Sequence, residues 1–200
     1  MTGTEPSGLF RKAEGDAFSA AIRLVELLSR GRRSLVLAES CTAGLVSDLV
    51  ARVSGASAVL WGSFVCYSPA AKERMLGLDG GLIMRHGPAS METARGMAVH
   101  ALRKADASFS AAVTGIAGPL GDGSDTPVGT VWLALAFREG AGVVEKLATE
   151  KKLHFSGSRA EVRMQAAASV LGELLDLATE VMGQGNGLKA VGFQPGNKTV

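Results

Sequence analysis

The feature that most constrains the fold is an unbroken apolar run followed directly by a turn and an amphipathic helix. Residues 34–38 read Ser-Leu-Val-Leu-Ala, without the polar alternation of a half-exposed strand. Such a run is typical of a strand buried on both faces, which occurs where helices cover both sides of a sheet. Residues 43–53 then return to helical spacing of apolar side chains. The pattern predicts an α/β fold with residues 39–42 at the carboxyl end of the first strand.

The rest of the chain continues this alternation of helices and strands. Apolar residues at helical spacing from Phe18 to Leu28 predict a helix before the first strand. Further patterns predict strands at residues 59–67, 110–114, 129–137 and 143–153, and helices at residues 69–76, 91–104 and 159–181. This order predicts a three-layer α/β/α sandwich with a mixed β-sheet.

The chain is expected to form one domain between two flexible ends. Its 200 residues, of which 46% are hydrophobic, suffice for one large core but not for two domains of ordinary size. Glycine and proline interrupt the first residues, and glycine, asparagine and lysine dominate the last. We predict a flexible segment at residues 1–14, a domain at residues 15–182 and a flexible tail at residues 183–200.

Composition argues against several classes of function. The 21 basic and 19 acidic residues nearly cancel, and no basic tract interleaved with aromatic residues suggests nucleic-acid binding. Two cysteines supply neither a zinc site nor a disulfide framework, which favours a reducing compartment. The first residues contain no apolar core of the length that a signal peptide requires, and no apolar run approaches the length of a membrane span. We therefore expect a cytoplasmic protein with no metal, no nucleic acid and no membrane partner.

Ser40 is the candidate nucleophile, because it occupies the turn between the first strand and the next helix. Backbone N–H groups and the helix dipole at such a turn can stabilise a developing oxyanion. The three histidines, His86, His100 and His154, lie in no recognisable triad pattern. Lys72 is the better candidate base, since a desolvated lysine can lose its proton near neutral pH. Tyr67, the only tyrosine, lies five residues before Lys72.

Each of these residues also has a purely structural interpretation, and the pattern alone leaves the choice open. Ser40 and Thr42 can serve as turn or capping residues, Lys72 as a solvated charge and Tyr67 as a packed strand residue. Cys41 is an alternative nucleophile or a small buried residue. Gly115 and Gly118 serve turn geometry or close approach to a ligand, and Arg159 and Arg163 bind phosphate or face solvent.

Four motifs in this order resemble the C-terminal domain family of the competence/damage-inducible protein CinA. They are residues 38–44 (AESCTAG), 67–72 (YSPAAK), 113–119 (VTGIAGP) and 127–131 (PVGTV). The resemblance spans residues 15–180. Members of this family include nicotinamide mononucleotide deamidase, which releases ammonia from the carboxamide in pyridine nucleotide recycling. The resemblance implies the same activity here, with Ser40 as nucleophile, Lys72 and Tyr67 as catalytic partners, and neither metal nor cofactor.

The resemblance also implies which residues bind the nucleotide substrate. Backbone amides around Thr42, Ala43 and Gly44 and around Gly115 and Gly118 would hold the oxyanion and the phosphate. Thr114 would line the same pocket, and Arg163 completes the predicted substrate-binding set. The family usually has two glycines where this chain has Ala43 and Gly44, and Asn-Glu where it has Pro69 and Ala70; a methyl group at position 43 could crowd a phosphate.

Three functional hypotheses remain open at this stage. The first is the deamidase, and the second is a nucleotide-binding module of the same family without turnover. The third is an amidohydrolase that acts on a different small amide. The high apolar content and the resemblance together predict a homo-oligomer.

Overall fold

A computed structural model describes residues 5–139 and 144–183 of the chain. One 3₁₀ turn, Ala56–Ala58, and one π-helical turn, Lys72–Leu76, accompany the regular elements. In chain order these elements are α1 (Gly8–Arg30), β1 (Leu35–Glu39), α2 (Leu45–Ala51), β2 (Leu60–Val65), α3 (Pro69–Ala71), α4 (Gly80–His86), α5 (Met91–Ala105), β3 (Phe109–Gly115), β4 (Thr130–Glu139), β5 (Val144–His154) and α6 (Arg159–Gly183).

The five strands form one mixed sheet in the order β2-β1-β3-β4-β5. β1 is parallel to both β2 and β3, whereas β4 is antiparallel to β3 and to β5. Alternate residues of β1 face opposite layers: Leu35 and Leu37 pack with α1, α2 and α6, and Val36 and Ala38 pack with α5. The predicted three-layer sandwich with a mixed sheet is confirmed.

The first helix begins earlier than the sequence pattern predicted. Ser7 caps it by accepting a hydrogen bond from the Phe10 amide, and Ala13 is buried in the core. Residues 8–14 therefore belong to the folded domain rather than to the flexible segment predicted for residues 1–14. Residues 1–4 of that segment, and residues 184–200 of the predicted tail, lie outside the described residues.

Helix α4 was not predicted, because the sequence pattern gave no element between the predicted helices at residues 69–76 and 91–104. The helix starts with Gly80 and Gly81, whose low helix propensity conceals the pattern. Asp79 caps it by accepting a hydrogen bond from the Gly81 amide, and this was the one local signal for a helix start. None of the described helices is both long and apolar enough to cross a bilayer.

The strand directions bring four chain segments to one edge of the sheet. β2, β1 and β3 all end there, because they are mutually parallel, and β5 ends there because two antiparallel pairings restore its direction. Ser40 follows β1, Cys66 follows β2, Ile116 follows β3, and α6 starts at Arg159 shortly after β5. This carboxyl edge is where open α/β sheets bind ligands.

Candidate active site

Ser40 and Lys72 meet at the carboxyl edge of the sheet, thirty-two residues apart in the chain. The Nζ atom of Lys72 lies 2.9 Å from the Oγ atom of Ser40 and donates a second hydrogen bond to the Cys66 carbonyl at 3.2 Å. Ser40 is 6% exposed and Lys72 only 1%. Burial lowers the pKa of Lys72, and the nearby thiols of Cys66 and Cys41 oppose this only in part. The lysine therefore has the position and the environment of a general base for the serine.

Local structure fixes both residues. The Ser40 amide donates to the Val113 carbonyl at 2.9 Å, so the nucleophile continues the pairing of β1 with β3. Lys72 begins the π-helical turn, and Ser68 caps the preceding α3 through the Ala71 amide. Single π-turns are frequent at functional sites, where the wider turn redirects a side chain. Here the turn carries a lysine whose side chain is directed inward to Ser40.

The turn after Ser40 is held by Glu39, a residue outside the predicted site. Its carboxylate is 1% exposed and accepts hydrogen bonds from the amides of Gly44 at 3.0 Å, Val46 at 3.0 Å and Ser47 at 2.9 Å. The Ala43 amide donates to the Ser40 carbonyl at 3.1 Å. The amides of Ala43 and Gly44, predicted to bind an anion, therefore already have acceptors within the protein.

Arg163 and Thr42 support the same turn from its buried side. Arg163 donates to the Cys41 carbonyl at 3.1 Å and to the Thr42 carbonyl at 2.6 Å, and the Thr42 side chain is fully buried. Thr42 does not cap the helix, because Gly44 holds the capping position of α2. Neither residue lines the pocket beside Ser40. Both were predicted to bind substrate, and the structure gives both a supporting position instead.

Ala43 adopts a left-handed backbone conformation with φ of 51°, and Gly44 follows with φ of 92°. This conformation disfavours residues with a Cβ atom, so a glycine would suit position 43 better than alanine. The Ala43 side chain is exposed, and the residue does not line the pocket. Its methyl group therefore does not narrow the space beside Ser40, contrary to the crowding considered from the sequence.

A pocket of about 210 Å³ opens beside Ser40 and Lys72. Of the residues predicted to bind substrate, Thr114, Gly115 and Gly118 line this pocket. The Thr114 hydroxyl donates a hydrogen bond to the Pro88 carbonyl at 2.9 Å, which connects β3 to the segment before α5. Both glycines also have a structural role, because a side chain at either position would contact neighbouring residues.

A Cβ atom at either glycine would meet its neighbours too closely. At Gly115 it would lie 2.5 Å from the Thr130 carbonyl oxygen, and at Gly118, where φ is 80°, 2.6 Å from the Val128 side chain. Of the two interpretations of these glycines, the structural one is therefore supported by contacts. Their backbone still forms part of the pocket wall.

Tyr67 lies at the mouth of the pocket rather than beside the reacting pair. It is 56% exposed, and its hydroxyl accepts a hydrogen bond from Arg159. In the described part of the chain it makes no hydrogen bond to Ser40 or Lys72. Arg159 also donates to the Gly118 carbonyl at 2.7 Å, so its guanidinium joins two walls of the pocket.

Arg159 is absent from the predicted substrate-binding set, although it was one of two candidate arginines. Besides Lys72, it is the only cationic residue among the described residues that line the pocket. Its position at the start of α6, immediately after the Ser158 cap residue, was the available signal, but Arg163 one turn later shared it. The packing of α6 separates the two, since it places Arg159 in the pocket wall and Arg163 against the carbonyls of Cys41 and Thr42.

Cys41 has a place in the pocket wall but not the chemistry of a nucleophile. Burial raises the pKa of its thiol to about 12, more than the nearby charges of Lys72 and Arg163 lower it. The thiol therefore stays protonated, and a protonated thiol is a poor nucleophile. Across residues 5–139 and 144–183, the backbone amides of Cys41 and Thr42 donate no hydrogen bond to another residue. The same residues contain no cluster of three His, Cys, Asp or Glu side chains that could hold a metal ion.

Comparison with known proteins gives a consistent result. The family model of the CinA C-terminal domain matches residues 18–178. A CinA-like protein of Anaeromyxobacter dehalogenans strain 2CP-C is 43% identical over 155 residues, which cover 78% of this chain and 36% of that protein. One from Geobacter sulfurreducens is 40% identical over 159 residues, covering 80% and 37%. The chain thus spans little more than a third of these curated relatives.

Solved structures share the fold over most of the chain. The competence/damage-inducible protein CihA of Agrobacterium tumefaciens is 35% identical with a TM-score of 0.73, covering 82% of this chain and 96% of that one. A CinA superfamily protein of Klebsiella pneumoniae is 26% identical with a TM-score of 0.76, covering 82% and 98%. From the family model and these relatives together, the chain belongs to the CinA C-terminal domain family.

Proposed function

We propose that this domain is an amidohydrolase that converts nicotinamide mononucleotide to nicotinic acid mononucleotide and ammonia. The observation that carries the proposal is the 2.9 Å contact between the Lys72 amine and the Ser40 hydroxyl, both buried at the wall of a pocket. A serine beside a desolvated lysine is a complete nucleophile and base pair without histidine. Membership of a family that includes such deamidases supports the choice of substrate.

The reaction proceeds in two halves. Neutral Lys72 takes the proton of the Ser40 hydroxyl as its oxygen attacks the carboxamide carbon, and the resulting ammonium returns that proton to the leaving nitrogen. Ammonia departs and an acyl ester on Ser40 remains. Water then attacks the ester, again giving its proton to Lys72, and this proton returns to the Ser40 oxygen as the carboxylic acid leaves.

The backbone amide of Cys41 is the proposed oxyanion donor. It directly follows the nucleophile, donates to no other residue of the described chain, and belongs to a residue that lines the pocket. In hydrolases with a serine at a strand-to-helix turn, the amide after the nucleophile commonly fills this role. The amides of Ala43 and Gly44 are already engaged, so they do not compete for it.

Arg159 and Tyr67 are the proposed contacts of the substrate phosphate at the pocket mouth. The guanidinium is exposed and uses two of its N–H groups on Gly118 and Tyr67, which leaves others for phosphate oxygens. The Tyr67 hydroxyl accepts from Arg159 and so keeps its own proton to donate. In this arrangement Tyr67 binds substrate rather than transferring the proton of Ser40.

The experiment is to incubate the purified protein with nicotinamide mononucleotide and to quantify both ammonia and nicotinic acid mononucleotide. We expect equal amounts of the two products, and a loss of at least about 10²-fold in turnover for Ser40→Ala. Ser19→Ala, on the exposed side of α1, is the matched control and should retain full activity.

Two other results would each replace the proposal. Calorimetric binding of the mononucleotide without ammonia release would identify a binding module. Release of ammonia only from other members of an amide panel would identify a different amidohydrolase.

A further inference from the structure

We infer that Glu39 is a positioning residue, an internal anion that holds the nucleophile turn in its active shape. Glu39 immediately precedes Ser40 and is buried, yet no Lys, Arg or His of the described chain pairs with it. Its partners are instead three backbone amides and the Ser63 hydroxyl, which donates at 3.2 Å. A buried carboxylate is costly unless such donors satisfy it, so the turn and the charge depend on each other.

The carboxylate satisfies backbone N–H groups at the start of α2. The amides of Gly44, Val46 and Ser47 lie at the start of α2 and have no backbone acceptor in the described residues. All three donate to the Glu39 carboxylate instead. Helix starts attract anions through such groups and through the helix dipole. Because the Glu39 carboxylate accepts from all three amides, they are not available to a substrate phosphate.

The same contacts determine which amide remains for catalysis. Glu39 fixes Gly44 next to the left-handed Ala43, and the Ala43 amide then closes the turn on the Ser40 carbonyl. Within the described residues this leaves the Cys41 and Thr42 amides without a hydrogen bond to another residue. Removal of the carboxylate should therefore release the turn and misplace the Cys41 amide relative to the Ser40 oxygen. A misplacement of about 1 Å can cost about 10²-fold in rate.

The backbone of Glu39 adds a link to the lysine. Its carbonyl accepts a hydrogen bond from the Cys66 amide at 2.8 Å, and the Cys66 carbonyl accepts one from Lys72 Nζ at 3.2 Å. One residue therefore joins the turn that carries the nucleophile to the strand end that orients the base. This role concerns the shape of the site and not a contact with substrate.

The test is chemical rescue in Glu39→Ala, because this substitution removes a group the size of acetate. The inference rests on the proposed nucleophile but not on the proposed substrate, so the readout is the rate at which a fluorophosphonate probe modifies Ser40, followed by mass spectrometry. We expect labelling at least about tenfold slower than in the unchanged protein. Added acetate should restore much of the rate in a saturable manner, whereas chloride at equal ionic strength should not.

Glu39→Gln is the matched control, because it fills the site and leaves no room for acetate. It should label slowly with and without acetate. Wild-type labelling rates in folded Glu39→Ala, or an equally slow rate at every acetate concentration, would overturn the inference. If Glu39→Ala does not fold, NMR amide exchange of Gly44, Val46 and Ser47 in Glu39→Gln replaces it: faster exchange than in the unchanged protein supports the role, and unchanged protection contradicts it.

The outcomes separate this inference from the proposed function. If the unchanged protein labels at Ser40 and shows acetate rescue but does not deamidate nicotinamide mononucleotide, the positioning role stands and the substrate is wrong. If the unchanged protein is not labelled at all, the proposed nucleophile is contradicted, and the amide exchange measurement alone decides the role of Glu39.

Discussion

Two connections at the same edge of the sheet contribute to the pocket in opposite ways. The turn between β1 and α2 satisfies most of its own backbone groups through Glu39, Ser40 and Arg163. The longer connection between β3 and β4 is largely exposed, and Leu120 within it is 83% exposed although it lines the pocket. The comparison indicates two different roles. In the proposed reaction the closed turn fixes the reacting atoms, and the open connection contacts the remainder of the substrate.

The largest effect should come from Lys72, the proposed base, whose amine contacts the nucleophile in the closed turn. Lys72→Met keeps a side chain of similar length in the buried site but cannot accept a proton, so we expect turnover to fall by at least about 10²-fold. Lys12→Met, on the exposed surface of α1, should change nothing. The measurement is steady-state ammonia release with a melting temperature for each variant. A folded Lys72→Met protein with nearly unchanged turnover would show that the buried amine is not the base.

The pH dependence should report the same residue. Burial lowers the pKa of Lys72 from its ordinary value of 10.5, and the neutral amine is the active form. Activity should therefore rise with pH, by about tenfold per unit below this pKa, and level off before an ordinary lysine would lose its proton. The measurement is the pH profile of kcat/KM. A profile that falls with rising pH, or rises only beyond 10.5, would contradict the assignment.

The next test concerns Arg159, which starts α6 and donates to the Gly118 carbonyl of the open connection. Arg159→Ala removes the proposed phosphate contact, so we expect KM to rise by about tenfold or more with little change in kcat. Arg163→Ala provides the contrast, because it withdraws hydrogen bonds from the carbonyls of Cys41 and Thr42 and should lower stability and kcat. The measurement is steady-state kinetics with thermal melts. If both substitutions raised KM equally and changed nothing else, the predicted difference between a substrate-binding Arg159 and a supporting Arg163 would be wrong.

The smallest effect concerns the backbone of the closed turn. Ala43→Gly relieves a left-handed conformation that disfavours a Cβ atom, although glycine loses more conformational entropy on folding. We expect the free energy of unfolding to increase by up to about 1 kcal/mol, measured by urea denaturation. KM should stay the same, since Ala43 does not line the pocket. A markedly lower KM would mean that the methyl group does meet the substrate.

The sequence predicted those parts of the molecule that depend on local pattern. The apolar run before Ser40 and the proline before Lys72 located the strand and the helical turn that bring these residues together. Helix α4 was hidden because two glycines weaken its start. Local pattern also predicted that the backbone amides of residues 42–44 are free to bind an anion. The sequence does not show that the Glu39 side chain turns back and accepts a hydrogen bond from the Gly44 amide.

Long-range placement accounts for the remaining differences. Arg159 and Arg163 differ by a single helical turn, and only the packing of α6 across the sheet puts one in the pocket and the other behind the nucleophile turn. Tyr67 was predicted at the end of the second strand, whereas β2 ends at Val65 and the Tyr67 hydroxyl contacts Arg159 at the pocket mouth. Sequence spacing sets the segment on which a residue lies, whereas the partner of its side chain depends on elements that are distant in the chain.

The most direct test of the central claim is to capture the covalent intermediate on Ser40. The protein is mixed with nicotinamide mononucleotide, quenched in acid within milliseconds to seconds, and digested for peptide mass spectrometry. The account predicts an acyl adduct on the peptide that contains Ser40, with the mass of the mononucleotide less ammonia, and no adduct in Ser40→Ala. Full deamidation by Ser40→Ala, or an adduct located on Cys41, would contradict it.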